Sequence, residues 1–283
     1  MIYNFIQTNS NSSSENSGSS NNIVINVKNP TINENLPVGT IWENTVNGKV
    51  FMCKDNTPNK NIWVGYKPTL KIAPTTAGTL DVFEDGSCVA LYQFDNNAND
   101  TGGVYNGIEK GDISYKAGKY NKAIYLNGNN AYVDLGNQMD DAYYSFSFWA
   151  DWSNTSRKWE RIFDFGEHQG SNWQCLICRR DDTNILCYKN GGNNIYSDDG
   201  CIINNELHFY AVVQNEGTVY FYRDGKLFSE TTTSERPKTH SRSYCYIGKS
   251  NWSGDKIYKG IIDQLRIFNR PLTSDEVSQL YNE

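Results

Sequence analysis

The sequence predicts an all-β protein folded as a two-sheet antiparallel sandwich. Runs such as Ser145–Trp149 and Phe209–Val213 are rich in aromatic and β-branched residues, which fit a pleated, half-buried surface. The pairs Asn106-Gly107, Asn127-Gly128 and Asp224-Gly225 supply the positive φ angles that tight hairpin turns require. Short strands separated this often by turn signals are typical of a sandwich.

One short helix is predicted near the end of the sequence. Thr273 or Ser274 can cap its N-terminus, and the two acidic residues that follow favour its positive end. The apolar residues of this segment fall on one helical face, and they are Val277, Leu280 and Tyr281.

Composition excludes several classes of protein. The 283 residues, 38% of them hydrophobic, can bury a full core and suit one large β domain plus a small one. A net charge of −6 offers no basic surface for nucleic acid. No apolar run approaches the roughly 20 residues that cross a bilayer, so no membrane insertion is expected. The N-terminus lacks the pattern of a secretory signal, which predicts that any extracellular setting is reached by assembly or lysis.

The seven cysteines favour buried thiols over a metal or redox motif. Cys175 and Cys178 have the spacing of a zinc half-site, but a second pair is missing from the sequence. The residues around them are typical of a strand, which would send these two side chains to opposite faces. We therefore expect the cysteines to pack as small hydrophobic residues.

The segment Gly260-Ile-Ile-Asp-Gln-Leu-Arg-Ile-Phe-Asn-Arg-Pro-Leu272 resembles the closing strand of the laminin-G-like, concanavalin A-like jelly rolls. Five upstream segments resemble further strands and hairpins of that family in the same order, namely Ala90–Asp95, Lys119–Gly128, Ala131–Gly136, Phe146–Trp149 and Thr218–Lys226. The resemblance implies a jelly roll that binds carbohydrate or protein, since only certain branches of the family are enzymes.

The same resemblance implies a structural calcium ion. In that family an aspartate on the final strand and backbone carbonyls from nearby turns hold the ion, and such hard oxygen ligands are what Ca²⁺ requires. Asp263 matches the aspartate. The alternative is that Asp263 pairs with Arg266 or caps a loop. The expected partners of Asp263 at the metal are Asp95 and Asp100, with Asn97 and Asp134 as further candidates.

Two polar segments that contain tryptophan, Trp152–Arg161 and Lys249–Asp255, predict a sugar-binding surface, because carbohydrate sites combine an aromatic platform with a few orienting polar groups. Asn172-Trp173, His168 and Tyr196 are expected at the rim of the same surface. The alternative is that these tryptophans are only half-buried packing residues. The candidate ligand-binding residues are Trp152, Trp159, Arg161, Asn172 and Trp252.

Catalysis is not expected. The Glu-x-Asp-x-Glu strand that places paired carboxylates in glucanases of this architecture does not occur in the sequence. His168, His208 and His240 lie far apart in sequence and none adjoins a nucleophile motif. A single carboxylate such as Glu160 or Asp164 is the remaining acid candidate.

The N-terminal region differs in character from the rest. Residues 1–30 form an arm that contains an Asn/Ser/Gly tract, too polar to fold alone. Residues 31–66 are predicted as a small β module with a hairpin around Asn47-Gly48, residues 67–84 as a linker, and residues 85–283 as the jelly roll. The Gly39-Thr-Ile-Trp42 strand, the Val50-Phe-Met-Cys53 strand and Trp63 resemble a small module of bacteriophage tail and fibre proteins.

These features together predict a bacteriophage virion protein, a fibre or decoration subunit that displays a carbohydrate-binding jelly roll on the particle surface for attachment to a host glycan. Other virion proteins are its expected partners through the N-terminal region. A small β module with exposed edges would also gain from self-association, which favours a homo-oligomer such as a trimer. The alternatives are a purely structural decoration protein and a divergent polysaccharide depolymerase.

Overall fold

The computed structural model describes residues 23–31, 33–38, 40–44, 50–60, 62–65, 79–153, 157–168 and 173–283. The chain divides into two compact units, Met1–Ala73 and Pro74–Glu283. The antiparallel sandwich predicted for the larger part of the chain is confirmed. In the described part of the chain, no helix has the length and apolar character needed to cross a bilayer.

The first unit contains a four-stranded sheet. Strand β2 pairs antiparallel with β3, which confirms the predicted hairpin, although Asn47-Gly48 lies outside the described residues. Strand β1 lies parallel to β2, and the Trp42 and Trp63 rings meet edge to face at 5.7 Å. In spatial order the strands are β1 (Ile23–Asn26), β2 (Ile41–Asn44), β3 (Val50–Asp55) and β4 (Ile62–Gly65).

The second unit is the sandwich. Its strands are β5 (Cys88–Tyr92), β6 (Ile108–Lys110), β7 (Ser114–Ala117), β8 (Lys122–Asn127), β9 (Tyr132–Gly136), β10 (Ser145–Trp152), β11 (Arg161–Gly166), β12 (Gln174–Arg179), β13 (Leu186–Gly191), β14 (Asn194–Tyr196), β15 (His208–Asn215), β16 (Thr218–Arg223), β17 (Lys226–Thr232), β18 (Tyr244–Ile247) and β19 (Lys259–Phe268), followed by helix α1 (Ser274–Tyr281). One sheet has the order β17-β16-β15-β10-β19-β8-β7 with β5 on β19, and the other has the order β14-β13-β12-β11-β18-β9-β6.

The core lies between the two sheets and follows the alternation of the strands. On β12, Cys175 and Ile177 face the core, whereas Leu176 and Cys178 lie on the outer face. The prediction that Cys175 and Cys178 occupy opposite faces is therefore confirmed. All seven cysteines are buried.

Helix α1 covers the outer face of the eight-stranded sheet. Thr273 caps the helix with a complete capping box to Glu276, and the buried Val277 and Leu280 face the sheet, as predicted. Residues 80–83 are assigned to the linker from sequence. In the structure Leu80, Val82 and Phe83 pack on this same face, against Trp149 and other apolar residues of the strands. One face of the sandwich is thus closed by apolar packing.

The predicted turns have different outcomes. Asp224 and Gly225 both adopt positive φ, 51° and 73°, between β16 and β17, as a two-residue hairpin requires. Gly107 does not adopt positive φ within Asn106-Gly107. It is required for close packing, since a Cβ atom there would lie 2.3 Å from the Val133 side chain.

Candidate functional site

A groove crosses the outer face of the seven-stranded sheet, on the side of the sandwich away from helix α1. It consists of two adjoining cavities of about 720 and 230 Å³, which share Trp252 and Asp255 in their walls. Strands β11, β12 and β13 line the narrow cavity, while β18 and the loop of residues 249–257 line the wide one.

Arg161 organises the base of the groove from the start of β11. Its guanidinium donates hydrogen bonds to Asp255 at 2.7 Å, to Asp164 at 3.2 Å and to the Trp159 carbonyl at 2.6 Å. The Arg161 and Asp164 side chains are only 5% and 0% exposed. Burial raises the pKa of Asp255, and the adjacent Arg161 opposes this rise.

Asp164 fixes the loop that carries Trp252. Its carboxylate accepts hydrogen bonds from the Asn251 backbone at 3.1 Å, the Asn251 side chain at 2.9 Å and Ser250 at 3.4 Å. Ser250 also donates to Asp255 at 2.8 Å. Because the partners of this loop are buried charges, the position of Trp252 is set before any ligand arrives.

Aromatic side chains form the walls of the groove. Trp252 is 40% exposed and Tyr244 is 49% exposed. Trp159, held at a φ of 58°, is half-buried against Leu176 and Cys178 on the sheet. Polar side chains lie beside these rings, so that the groove combines flat apolar surfaces with hydrogen-bonding groups; the polar residues include Gln174, Lys189, Asn194 and Asn251.

The structure brings together three of the five predicted ligand-binding residues. Trp159, Arg161 and Trp252 line the narrow cavity, although they are far apart in sequence. Their role in binding stays a prediction. Asn172 lies outside the described residues.

The assignment of Trp152 to the binding surface is wrong. Strand β10 continues to Trp152 and turns its side chain inward, where it is fully buried. Its ring packs edge to face on Tyr210 and Tyr258, at centroid distances of 6.3 and 5.2 Å. It therefore stabilises the core beneath the sheets.

Of the other residues predicted at the rim, His168 and Tyr196 are near the groove, whereas Trp173 lines neither cavity. His168 lines the wide cavity. Tyr196 packs at the edge of the sheet against the Cys178 cluster, with the Arg180 guanidinium 4.5 Å from its ring.

Sequence reasoning missed the tyrosines of the wide cavity and their contact with Lys249. Tyr244 and Tyr246 flank Cys245 on β18, and the core position of Cys245 sends both tyrosines outward. Lys249 follows in the next turn, with its ammonium 4.3 Å from the Tyr246 ring. The alternation Tyr-Cys-Tyr was the available signal.

The carboxylates predicted to bind calcium do not form a ligand set. Both Asp100 oxygens accept backbone N–H groups, from Leu91 and Gly102 on one oxygen and from Val104 and Tyr105 on the other, at 3.0 to 3.2 Å. Oxygens that accept N–H donors are directed away from metal coordination. Among the described residues, no group of three or more Asp, Glu, His or Cys side chains could hold a metal ion.

Asp95 and Asp263 are likewise engaged by the loop that joins β7 to β8. Asp95 accepts from the Lys122 N–H at 2.9 Å, and Asp263 accepts from the Lys119 N–H at 2.7 Å. The other Asp263 oxygen is buried without a hydrogen bond in the structure. Burial raises the pKa of Asp263 to about 7. Asp263 therefore caps this loop, as one of the two sequence interpretations holds, and calcium binding through Asp263 and backbone carbonyls stays a prediction.

The two acid candidates are both bound in ion pairs. The Glu160 side chain is fully buried, and its carboxylate accepts from Arg179 at 3.1 Å and Arg157 at 3.0 Å. Asp164 is held by Arg161. Neither carboxylate is presented to a ligand as a proton donor.

Comparison with known proteins places the fold. The family described as the Concanavalin A-like lectin/glucanases superfamily matches residues 127–278. The sequence finds no match among curated proteins.

Several solved structures are similar to the sandwich. Domain 4 of AbnA, a GH43 extracellular arabinanase from Geobacillus stearothermophilus solved with arabinotriose, is 22% identical with a TM-score of 0.57, covering 69% of this chain and 98% of that one. The binding domain of Paraclostridial Mosquitocidal Protein 1 is 18% identical with a TM-score of 0.55, covering 69% and 52%. Botulinum neurotoxin type C, whose cell entry depends on interaction with two ganglioside molecules, is 21% identical with a TM-score of 0.52, covering 69% and 51%. This chain thus matches about half the length of the two toxin structures, and at these identities the likeness shows the fold alone.

Proposed function

Because the chain belongs to the Concanavalin A-like lectin/glucanases superfamily, we propose that its sandwich is a carbohydrate-binding domain and that the groove over the seven-stranded sheet is the binding site. The observation that carries the proposal is the placement of Trp159 and Trp252 in the walls of one cavity with Arg161 and Gln174. This groove joins aromatic surfaces to a few orienting polar groups, the combination that ligand sites use.

The chemistry of a sugar suits this groove. The apolar C–H face of a pyranose or furanose ring packs on an indole or phenol ring, and its hydroxyls exchange hydrogen bonds with side-chain amides. Asn251 and Gln174 are already oriented by Asp164, at 2.9 and 3.3 Å. A preorganised site loses little entropy when the ligand binds.

A binding role without catalysis agrees with the state of the carboxylates. Glycoside hydrolysis requires two carboxyl groups that flank the bond to be cleaved. Glu160 and Asp164 are instead committed to buried arginines. We therefore propose a lectin-like module and not a depolymerase.

We also propose that the chain is a bacteriophage virion subunit, which presents this domain to a host-surface glycan and attaches to the particle through its N-terminal unit. The support is the sequence resemblance of residues 39–63 and the four-stranded sheet that they help to build. So small a sheet gains stability from a partner, which favours attachment or self-association. Light scattering on the full chain tests self-association, and mass spectrometry of particles purified from a lysate tests attachment.

The binding proposal is tested with the full chain on a glycan array, followed by titration calorimetry with the best ligand. Trp252→Ala should weaken binding about 10- to 100-fold, since it removes about 1.5–3 kcal/mol of aromatic contact. Trp173→Ala is the matched control, because Trp173 is 39% exposed, nearly as much as Trp252, but does not line the groove.

Three results would contradict the proposal. Equal loss of affinity in both tryptophan variants would place the ligand elsewhere. A folded chain that binds no glycan would favour a purely structural decoration protein. Release of reducing ends from a bound polysaccharide would favour the depolymerase.

A further inference from the structure

More cations than carboxylates line the wide cavity. Two lysines, Lys249 and Lys256, and His168 line it. Asp255 is the one carboxylate among its described lining residues, and that carboxylate is already bound by Arg161 at 2.7 Å. The cavity therefore carries excess positive charge in a protein whose net charge is −6.

Lys249 is held in place by aromatic rings. Its ammonium lies 4.3 Å from the centroids of both Tyr132 and Tyr246, which are neighbours on strands β9 and β18. Contact with two ring faces stabilises the cation and limits its positions. The ammonium is thus kept on the groove surface beside the rings on which a sugar would stack.

Some cations of the described surface already have a carboxylate partner. Lys158 pairs with Asp181 at 3.2 Å, and Arg270 pairs with two carboxylates. The ion pairs found among the described residues include neither Lys249 nor Lys256. His168 Nε2 lies 4.0 Å from Glu167 Oε2, so the binding of an anion is assigned to the two lysines.

The narrow cavity is closer to neutral. Its two cations, Arg161 and Lys189, lie beside two carboxylates, Asp164 and Asp255. The rings of Trp159 and Trp252 form its walls. It suits an uncharged sugar ring. Because Trp252 belongs to both cavities, one oligosaccharide can contact both of them.

We propose that the groove binds an acidic oligosaccharide, with one ring between Trp159 and Trp252 and a carboxylate-bearing ring in the wide cavity against Lys249 and Lys256. This inference rests on the proposed function. It adds that the ligand is negatively charged and that two of its rings occupy the narrow and the wide cavity. The carboxylate supplies the anionic partner that the two lysines do not have among the described side chains.

The test uses a panel of acidic oligosaccharides of two to four residues, each paired with its methyl ester, which keeps the sugar and removes the charge. At least one acid should bind the full chain about 10-fold more tightly than its ester, the effect expected of a charge-assisted hydrogen bond. The double variant Lys249→Gln/Lys256→Gln should reduce the affinity for the acid to that for the ester. Raising the salt concentration should weaken binding of the acid and not of the ester.

The control variant is Lys158→Gln, which removes a surface lysine outside both cavities and should leave every affinity unchanged. Circular dichroism establishes that each variant is folded. If glycans bind but every acid binds no more tightly than its ester, or the double variant binds the acid as tightly as wild type does, the inference is overturned while the proposed function stands. If no member of the panel and no neutral glycan binds, both fail.

Discussion

Removal of the Arg161 guanidinium should destabilise the sandwich. It should also loosen the loop of residues 249–257, which lines the groove and is bound to Arg161 through Asp255. In Arg161→Met the side chain keeps its length and loses its charge. Asp164 is then left as a fully buried carboxylate without its cation, and Asp255, 16% exposed, loses its 2.7 Å partner. Removing one partner of a buried ion pair lowers the free energy of unfolding by about 3–5 kcal/mol, because an uncompensated charge stays buried.

The assay is urea and thermal unfolding of the full chain, followed by tryptophan fluorescence. For a domain of this size, each kcal/mol lowers Tm by about 2–4 °C, so a fall of about 6–20 °C is expected. The matched control is Lys158→Met, which breaks an ion pair whose side chains are 56% and 45% exposed. Exposed pairs contribute about 1 kcal/mol or less.

The double variant Arg161→Met/Asp164→Asn separates the ion pair from simple loss of packing. Asparagine at position 164 removes the buried charge that Arg161→Met leaves unpaired. The double variant should therefore recover part of the stability lost in Arg161→Met. A loss of under about 1 kcal/mol in Arg161→Met, equal to that of the Lys158 control, would refute the reasoning. Such a result would mean that water or loop movement compensates the buried carboxylates.

Three further outcomes follow from the fold. Burial raises the pKa of Asp263 to about 7 in the folded chain, well above its ordinary value of 3.8, so the folded form retains a proton that the unfolded form loses. The free energy of unfolding should fall as pH rises from 3.8 to 7, and urea midpoints of Asp263→Asn should show a smaller fall. Thr273→Ala removes the cap of helix α1 and should lower the free energy of unfolding by about 0.5–2 kcal/mol in the same assay. An unchanged free energy of unfolding would mean that this helix end is frayed. Gly260→Ala should prevent stable folding, since φ is 148° and a Cβ atom would lie 1.8 Å from the Asp151 carbonyl oxygen, whereas Gly254→Ala, which meets nothing within 4 Å, should be neutral; a soluble, normally melting Gly260→Ala protein would contradict this.

Much of the fold was readable because its determinants are local. Capping residues before an amphipathic segment fix helix α1, and Asp224-Gly225 fixes a hairpin. Alternation along β12 placed Cys175 and Cys178 on opposite faces. Each of these signals depends on neighbours within a few residues, which a single sequence displays.

The groove was readable only in part because it is assembled across strands. Trp159 and Trp252 stood out as tryptophans in polar surroundings, yet Trp152 shared that pattern and is buried. Trp152 is buried because β10 extends as far as this residue, and pairing with β19 sets where β10 ends. Lys249 lay within a predicted segment, but its contact with Tyr132 was not predicted, because Tyr132 is distant in sequence and is brought close only by strand pairing.

The most direct test of the central claim is a crystal structure of the full chain with the best oligosaccharide from the array. The account predicts a sugar ring packed between Trp159 and Trp252, with its hydroxyls hydrogen-bonded to side chains of the seven-stranded sheet. A sugar bound elsewhere, for example on the Trp173 and His240 rings that stack at 5.2 Å, with the groove left empty, would contradict it.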